Sequence, residues 1–492
     1  MVRCAAIGYH ARRMDLAVSR TMIVPMIVAS ALFMENLDGT IITTALPQMA
    51  ESFGTTPIHL SIGITSYVLS LAIFIPVSGW VADRFGARTV FRNAIAVFTL
   101  GSVLCGFGNN VAELTAARVL QGLGGAMMVP VGRLVMFRSV PRSEFVTAMA
   151  YLTVPALIGP ILGPPVGGFL TTYFSWRWIF FLNLPVGILG IALVSRFIEN
   201  YREPQTPSLD WIGFLLSGTS IASLVYDCDL VERPDASGFA VLALFALSVA
   251  AGFATAWHIR RRANPVIDPT LLRIPTFSIS VLGGTLFRLG TASLAYLLPI
   301  LLQVGLGFTA FSSGLLTVAA ALGSFAMKIA AVPIIRRWGF RTVLFGNGVL
   351  SALSVLMCVL FTANAPFVAI FLGLLIGGFF RSLQYTALNS IAFADIAAPR
   401  MSAASSFSSM MQQISNGMGV ALAAVTLNSI LVWRGDSRIE IPVEDLQITF
   451  VLMAAVTLAA CVFFAQLTPD AAAEVSGHGR VRPPTVTPPN SN

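Results

Sequence analysis

Arg84-Phe-Gly-Ala-Arg-Thr-Val-Phe91 recurs as Arg337-Trp-Gly-Phe-Arg-Thr-Val-Leu344. The first copy lies between apolar stretches near 59–79 and 89–108, the second between stretches near 311–335 and 341–361. One octapeptide could repeat by chance, but two copies in equivalent short loops point to a duplicated helical unit. A spanning helix needs about 20 mainly apolar residues. Working outward from the repeat, fourteen stretches qualify, near 22–46, 59–79, 89–108, 112–136, 146–170, 178–198, 210–230, 238–257, 276–303, 311–335, 341–361, 366–391, 403–432 and 447–467. Backbone groups in lipid must be satisfied internally, so these stretches are helices. The expected fold class is an all-α integral membrane protein with 14 transmembrane helices. The repeat divides it into an N-terminal segment (1–20), a six-helix bundle (21–200), two linker helices (201–272), a second six-helix bundle (273–468) and a tail (469–492). The composition of that tail, rich in Pro, Ala, Thr and Ser, predicts disorder.

Composition supports a lipid solvent. The 492 residues are 56% hydrophobic and 11% charged, against about a quarter charged in soluble domains, and the mean hydropathy is +0.81. A formal charge of +8 could suggest nucleic acid, but the basic residues are scattered between apolar runs, which excludes that partner. With the N-terminus inside, about 22 of the 30 basic residues fall in cytoplasmic segments and about 4 outside. Clusters at Arg84/Arg88/Arg92, Arg133/Arg138/Arg142, Arg260/Arg261/Arg262 and Arg336/Arg337/Arg341 share one side. Both termini are therefore expected in the cytoplasm. The first span is not a cleaved signal peptide, being too long and carrying Glu35 and Asp38. Lys328, the one lysine, lacks the glycine and hydroxyl neighbours of a phosphate-binding loop, which argues against ATP drive. It is expected to snorkel toward the cytoplasmic end of its helix. The five cysteines and four histidines are dispersed. No metal site, disulfide framework or catalytic constellation is expected, so the chain is not read as an enzyme.

Function is carried by polar residues inside apolar runs. A carboxylate in a spanning helix is expensive and marks a functional site by default. Glu35 and Asp38, in Glu35-Asn-Leu-Asp38-Gly-Thr40, are three apart and share a helix face. A buried carboxyl can exchange protons near neutral pH; the alternative role is a structural pair with an arginine. Arg118, in Arg118-Val-Leu-Gln121-Gly122-Leu-Gly124-Gly125, cannot deprotonate and must find a cavity or a partner. Gly79-Trp-Val-Ala-Asp83-Arg84-Phe-Gly86-Ala-Arg88 places a tight turn between two helices. Asp83 there can meet the positive N-terminus of a neighbouring helix, and Arg84 and Arg88 can pair across the halves. In the second copy Asp83 is matched by Arg336, so the pair is asymmetric. Gly159-Pro-Ile-Leu-Gly163-Pro164-Pro165-Val-Gly167-Gly168 combines close-packing glycines with kinking prolines. Trp176 and Trp178 suit an interfacial belt. Arg288, Arg381, Gln384, Gln412, Gln413 and Asn416 are further intramembrane polar residues that could line a cavity.

From about Leu32 onward these stretches resemble the major facilitator superfamily, and within it the 14-helix drug:proton antiporters (EmrB/QacA-like multidrug exporters). Leu37-Asp38-Gly39-Thr40 to Ala45-Leu46-Pro47 is similar to that subfamily's LDxTxxxxALP motif, Gly79–Arg88 to the GxxxDRxGxR loop, and Arg118–Ala126 to RxxQGxGxA. Gly159–Gly168 is similar to GxxxGPxxGG. The resemblance implies a major facilitator fold, with two six-helix bundles and two extra central helices. It also implies gating by Gly79, Asp83, Arg84, Gly86 and Arg88, proton coupling through Arg118 with Asp38 and Glu35, and an exporter motif in Gly159, Gly163, Pro164, Gly167 and Gly168. The expectation is a secondary active transporter of the bacterial inner membrane. It would export small lipophilic or cationic compounds in exchange for protons, with no cofactor beyond the coupling proton. It is expected to be monomeric, and export across a second membrane would add a periplasmic adaptor as partner. The rival is a carrier of one metabolite, such as an organic acid or amino acid, with Arg118, Arg288 and Arg381 binding its carboxylate.

Overall fold

The computed structural model describes residues 2–55, 60, 62–204, 206–231, 237–262, 264–362, 365–434 and 441–478. Side chains are described from Ile23 onward, except at 43, 44, 47, 156, 157, 160, 164, 228, 229, 231, 310 and 311. The chain is a bundle of helices: α1 (Val2–Phe53), α2 (Ile62–Phe85), α3 (Ala87–Phe107), α4 (Val111–Ser139), α5 (Phe145–Tyr173), α6 (Trp178–Phe197), α7 (Trp211–Val231) and α8 (Gly238–Ile259). It continues as α9 (Pro275–Gly305), α10 (Ala310–Leu356), α11 (Phe367–Ile391), α12 (Met401–Arg434), α13 (Val443–Phe464) and a short α14 (Ala473–Ser476). Ten helical spans among the described residues are long and apolar enough to cross a membrane.

Boundaries follow local chemistry. Gly54, at φ 63°, ends α1 in the left-handed conformation that glycine tolerates. Asn110 and Glu113 cap α4 reciprocally, the Asn110 side chain accepting from the Glu113 amide and Glu113 accepting from the Asn109 amide. Two boundaries differ from expectation. Helix α1 begins at Val2, with no coil before the first span. The stretches near 311–335 and 341–361 are two helices that meet at Gly339 (φ 72°, ψ 166°), and α10 denotes both. Only glycine readily holds that conformation, so the turn between the two stretches is one residue long.

Packing separates the two ends of the bundle. At the arginine-rich end a single core cluster runs through both halves, from Val28, Phe91, Phe137 and Phe145 to Phe277, Met327, Phe393 and Met401. Phe137 stacks on Phe393 with ring centroids 4.4 Å apart. At the opposite end the apolar core is split. One cluster (Ile41, Met49, Leu114, Trp176, Phe180) belongs to the first half, and another (Leu297, Leu316, Ile370, Phe450) to the second. The halves are therefore joined at the arginine-rich end: α12 packs on α2 and α4, while α10 and α11 pack on α5. Helix α7 lies against both α2 and α12, and α8 packs on α7.

The tail departs from its expected disorder over 469–478. Val475 and Ser476 are buried, and α14 packs on α10 in the second half and on α5 and the 142–144 turn in the first. The apolar side chains Ala471, Ala472 and Val475 supply the burial that composition alone did not reveal. The rest of the predicted tail, 479–492, lies outside the described residues.

Candidate functional site

Helix α4 carries a glycine stripe that sets the site. A Cβ at Gly122 would stand 2.6 Å from Ser70 Cβ and 2.7 Å from the Tyr67 carbonyl oxygen on α2. One at Gly124 would stand 2.5 Å from the Phe98 nitrogen on α3. The glycines thus let three helices approach at backbone distance, and this brings Arg118 and Gln121 inside the first half. There Asp38 of α1 is wrapped on both oxygens. Arg118 Nη1 donates to Oδ2 at 2.5 Å, while Gln121 Nε2 and Asn183 Nδ2 donate to Oδ1 at 2.9 and 3.0 Å. The Gln121 carbonyl accepts from Arg118 Nη1 at 2.7 Å, which leaves its NH2 facing Asp38. Asn183 also donates to Ser102 Oγ, whose hydroxyl donates to the Phe180 carbonyl. The Arg118 guanidinium lies between two rings, 5.4 Å from the Tyr67 centroid and 5.1 Å from that of Phe180. Asp38, Arg118, Gln121 and Asn183 are 2% exposed or less. Removing one member of such a buried ion pair typically costs about 3–5 kcal/mol.

Glu35 does not join this network. It is half-buried, its Oε2 has no hydrogen-bond partner among the described residues, and its electrostatic neighbours include Arg133 and Asp38. Helix α5 holds α1 in place. A Cβ on Gly159 would stand 2.9 Å from the Leu37 nitrogen, and one on Gly163 would stand 2.2 Å from Thr40 Oγ1, so both glycines face the turn that carries Asp38. Gly167 accepts from the Thr171 hydroxyl at 2.8 Å, and Gly168 faces open space. Pro164 lies on α5, but its side chain falls outside the described residues.

At the arginine-rich end Asp83 accepts a short hydrogen bond from Ser402 in the first turn of α12, and it faces Arg138 Nη2 at 3.5 Å. A Cβ on Gly79 would stand 2.7 Å from the Ser402 carbonyl oxygen. Ser78 and Ser406 hydroxyls lie 2.8 Å apart, and Ser405 donates to the Pro130 carbonyl at 2.7 Å. Arg84 is exposed and Arg88 half-buried, and neither bonds across the halves among the described residues. That work falls to Arg138, on the Ala398 carbonyl, and to Arg142, on the carbonyls of Ala394 and Ile396. Arg84 lies in the last turn of α2 and Arg88 in the first turn of α3, whereas α4 runs on to Ser139 and brings Arg138, and the turn after it Arg142, to the seam.

The proposed cavity residues divide. Gln384 is fully buried in a structural knot, accepting from Asn347 at 2.9 Å and donating to the Leu344 carbonyl at 3.0 Å, so it is removed from the cavity set. Gln412 accepts from Arg133 at 3.1 Å across the halves and donates to Ser408. Gln413 is half-buried and Asn416 exposed, and neither has a side-chain partner among the described residues. Arg288 is 6% exposed, with its guanidinium 5.5 Å from the Tyr385 ring centroid. Arg381 folds back over Gly377 of its own helix. Neither arginine donates a hydrogen bond to a described residue.

Three placements correct the sequence reading. Arg133 was assigned to the cytoplasmic cluster but is buried, with Nε and Nη1 unpartnered. Lys328 does not snorkel. It is 6% exposed and donates to Thr386 Oγ1 at 2.6 Å, because α10 continues past the expected helix end. Trp178 is exposed, but Trp176 is buried against Phe53 and Phe180, since its neighbours close the end of the first half. Among the described residues no His, Cys, Asp and Glu group could hold a metal.

Comparison with known proteins agrees with this duplicated architecture. The Major Facilitator Superfamily profile matches twice, at residues 28–283 and 280–488. Relatives named "Putative multidrug resistance protein MdtD" occur in Salmonella newport (39% identical, 82% of this chain and 85% of that protein) and in Klebsiella pneumoniae (40%, with the same shares). The fold is similar to that of the human organic anion transporter MFSD10 (TM-score 0.66, 15% identity, 90% of this chain and 99% of that one). It is also similar to that of the proton:xylose symporter XylE (TM-score 0.63, 12% identity, 94% and 99%). On a family match in each half and relatives aligned over most of its length, this chain belongs to the Major Facilitator Superfamily, whose members are membrane transporters and not enzymes.

Proposed function

We propose that the chain exports small, lipophilic or cationic compounds in exchange for protons by alternating access. The observation that carries this reading is the buried Asp38–Arg118 pair, ringed by Gln121 and Asn183. A proton on Asp38 would cancel the charge that holds Arg118, freeing the pair to rearrange; loss of the proton would restore it. The drive is adequate: one charge across 100 mV is worth about 2.3 kcal/mol, and one pH unit adds about 1.4 kcal/mol. Together these would sustain a gradient of about 500-fold per proton. Several further points support the reading. The ten spans become fourteen once the Ser312–Leu360 span is divided at Gly339 and the long helices α1, α5 and α7 are added. Placing the arginine-rich end in the cytoplasm of a bacterial inner membrane puts both termini inside, and the joined end then makes this an outward-facing state. The relatives' names agree with a multidrug role.

The test is dye uptake into inverted vesicles energised with a proton gradient. Uptake of a lipophilic cation by the wild-type protein should fall to background in Asp38→Asn. An equal rate in the variant would reject Asp38 as the coupling site. A second reading, carriage of a carboxylate-bearing metabolite, is favoured by Arg288 and Arg381, whose guanidinium groups have no hydrogen-bond acceptor among the described residues. Anionic substrates competing with the dye, or replacing it, would select that reading.

A further inference from the structure

Among the buried polar atoms of the first half with no hydrogen-bond partner among the described residues, beside nitrogens of Arg118, Arg133 and Arg138, are Glu35 Oε2 and the Tyr67 hydroxyl. These last two come from adjacent parts of the site. The Tyr67 ring lies against the Arg118 guanidinium and meets Phe98 edge-on at 6.4 Å. Its hydroxyl end points along α4 away from Arg118, to within 3.1 Å of where a Gly125 Cβ would stand. Gly125 is two helical turns from Arg118, about 10 Å along the axis. Glu35 is one turn from Asp38 on α1, and its electrostatic neighbours are Arg133, further along α4, and Asp38. The hydroxyl and the carboxyl therefore sit at the same level of the bundle. Both Glu35 and Asp38 lie near enough to the Tyr67 hydroxyl to act on it electrostatically. Leaving a hydroxyl and a carboxylate oxygen unpaired in the interior is costly, and one water shared between them removes both costs.

We propose that Tyr67 is the positioning residue for Glu35, its hydroxyl linked to the Glu35 carboxyl through one water and joining it to the Asp38–Arg118 pair as one proton-binding unit. This rests on the proton-exchange reading given above. A phenol suits the task because, through that water, it donates to a carboxylate and accepts from a carboxylic acid, so it serves both states of Glu35 without moving its ring. The same ring stacks on Arg118, so one side chain touches both parts of the unit. Other groups facing this level are Arg133 on α4, Cys105 behind Gln121 on α3, and Arg288 on α9 beyond Arg133. Helix α7, packed on α2, brings Asp227. Helix α5 carries no charge, α6 carries only Arg196 in its last turn, and α12 has no charged residue before Arg434.

Infrared difference spectra of the purified full-length protein test this without a transported substrate. Spectra are taken between about pH 5 and pH 9, a window that brackets a buried carboxyl, on the wild type, Glu35→Gln, Asp38→Asn and Tyr67→Phe. The expected result is a carboxylic C=O band that vanishes in Glu35→Gln. In Tyr67→Phe that band should shift in frequency and titrate at higher pH, because the carboxylate has lost a donor. Tyr67→Phe keeps the ring and its contact with Arg118, so a purely packing role predicts no shift. An unmoved Glu35 band in Tyr67→Phe, or no band assignable to Glu35, overturns the proposal. In either case a band that vanishes in Asp38→Asn leaves the proton-exchange reading standing, and its absence removes that reading as well.

Discussion

At Gly86 and Gly339 the two copies of the repeated turn use the same device, a glycine at φ 92° and 72° between two helices. Each turn is covered by the residue that follows the last helix of its own half. Asn200 lies over Gly86, where a Cβ would stand 2.4 Å from its Oδ1, and the Ala87 amide donates to the Tyr201 carbonyl. His478 lies over Gly339, where a Cβ would stand 2.9 Å from its ring, and its Nδ1 is 3.1 Å from the Arg336 carbonyl. The copies differ in what they do across the seam. Asp83 of the first reaches Ser402 in the other half, whereas Arg336, at the matching position, makes no such bond among the described residues. In the second copy the crossing is made by α14, which packs on both α10 and α5. Duplication thus preserved the turn, while the contact that closes the seam was built separately in each half.

The largest effect should come from the close approach that only the first copy has. Gly79 meets the Ser402 backbone, while Val332, four residues before Arg336 as Gly79 is before Asp83, shows that the second copy accepts a branched side chain. Gly79→Val should prevent the joined state. Cysteine placed at Ser405, which is 1% exposed at the seam, would report this in a background without native cysteines. Its labelling by a membrane-impermeant thiol reagent from the arginine-rich side should become near complete, and transport should fall more than about tenfold, since a clash with backbone costs upwards of 1–3 kcal/mol. Asp83→Ala comes next. It deprives Ser402 and Arg138 of their acceptor, worth about 1–3 kcal/mol, and should raise labelling about tenfold. Arg336→Ala should leave it within about twofold. Equal effects of the two would break the asymmetry.

Asp38 and Arg118 were legible in the sequence because a charge within an apolar run must have a partner. Gln121 lay in the quoted Arg118 motif, yet nothing in one dimension says that it and Asn183 converge on Asp38. Tyr67 gave no signal, since a tyrosine between apolar neighbours reads as packing. Arg133 and Lys328 were misplaced for one reason: each lies near the end of an apolar run, whereas the helices continue to Ser139 and up to Gly339. Hydropathy measures the run and not the helix. Gln384 failed differently. Its partner Asn347 is on the neighbouring helix, and a polar residue satisfied there looks the same in sequence as one facing a cavity. The helix order and the duplication needed only periodicity and length, so they were readable.

The second copy's crossing can be tested at the tail. His478→Ala removes the ring over Gly339 and one hydrogen bond, about 0.5–1.5 kcal/mol. It should raise labelling at position 405 by several-fold, less than Asp83→Ala does. No change would mean that α14 rests on the surface without holding the halves together.

The smallest effect concerns another pair of matched turns, those that open α5 and α12. Each contains Pro-Arg, at Pro141-Arg142 and Pro399-Arg400. Arg142 crosses to carbonyls of the other half, whereas Arg400 turns to Asp268 at 2.7 Å and to the Thr270 hydroxyl. Burial opposes ionisation of Asp268. The hydrogen bonds from Thr270 and Arg400 and the charge of Arg400 outweigh it and hold the carboxyl below its usual range. A carboxyl with a lowered folded-state pKa adds stability that is present above its unfolded value, about 3.9, and is lost as pH falls through the folded value. Both side chains are partly exposed, at 36% for Arg400 and 27% for Asp268, so the tie is worth about 0.2–1 kcal/mol. Asp268→Asn should therefore lower the unfolding midpoint slightly at neutral pH, and the gap from wild type should close as pH falls below about 4. A gap that persists in acid would assign the loss to the fit of the asparagine amide and not to the charge of Arg400, since an asparagine oxygen still accepts the Thr270 hydrogen bonds.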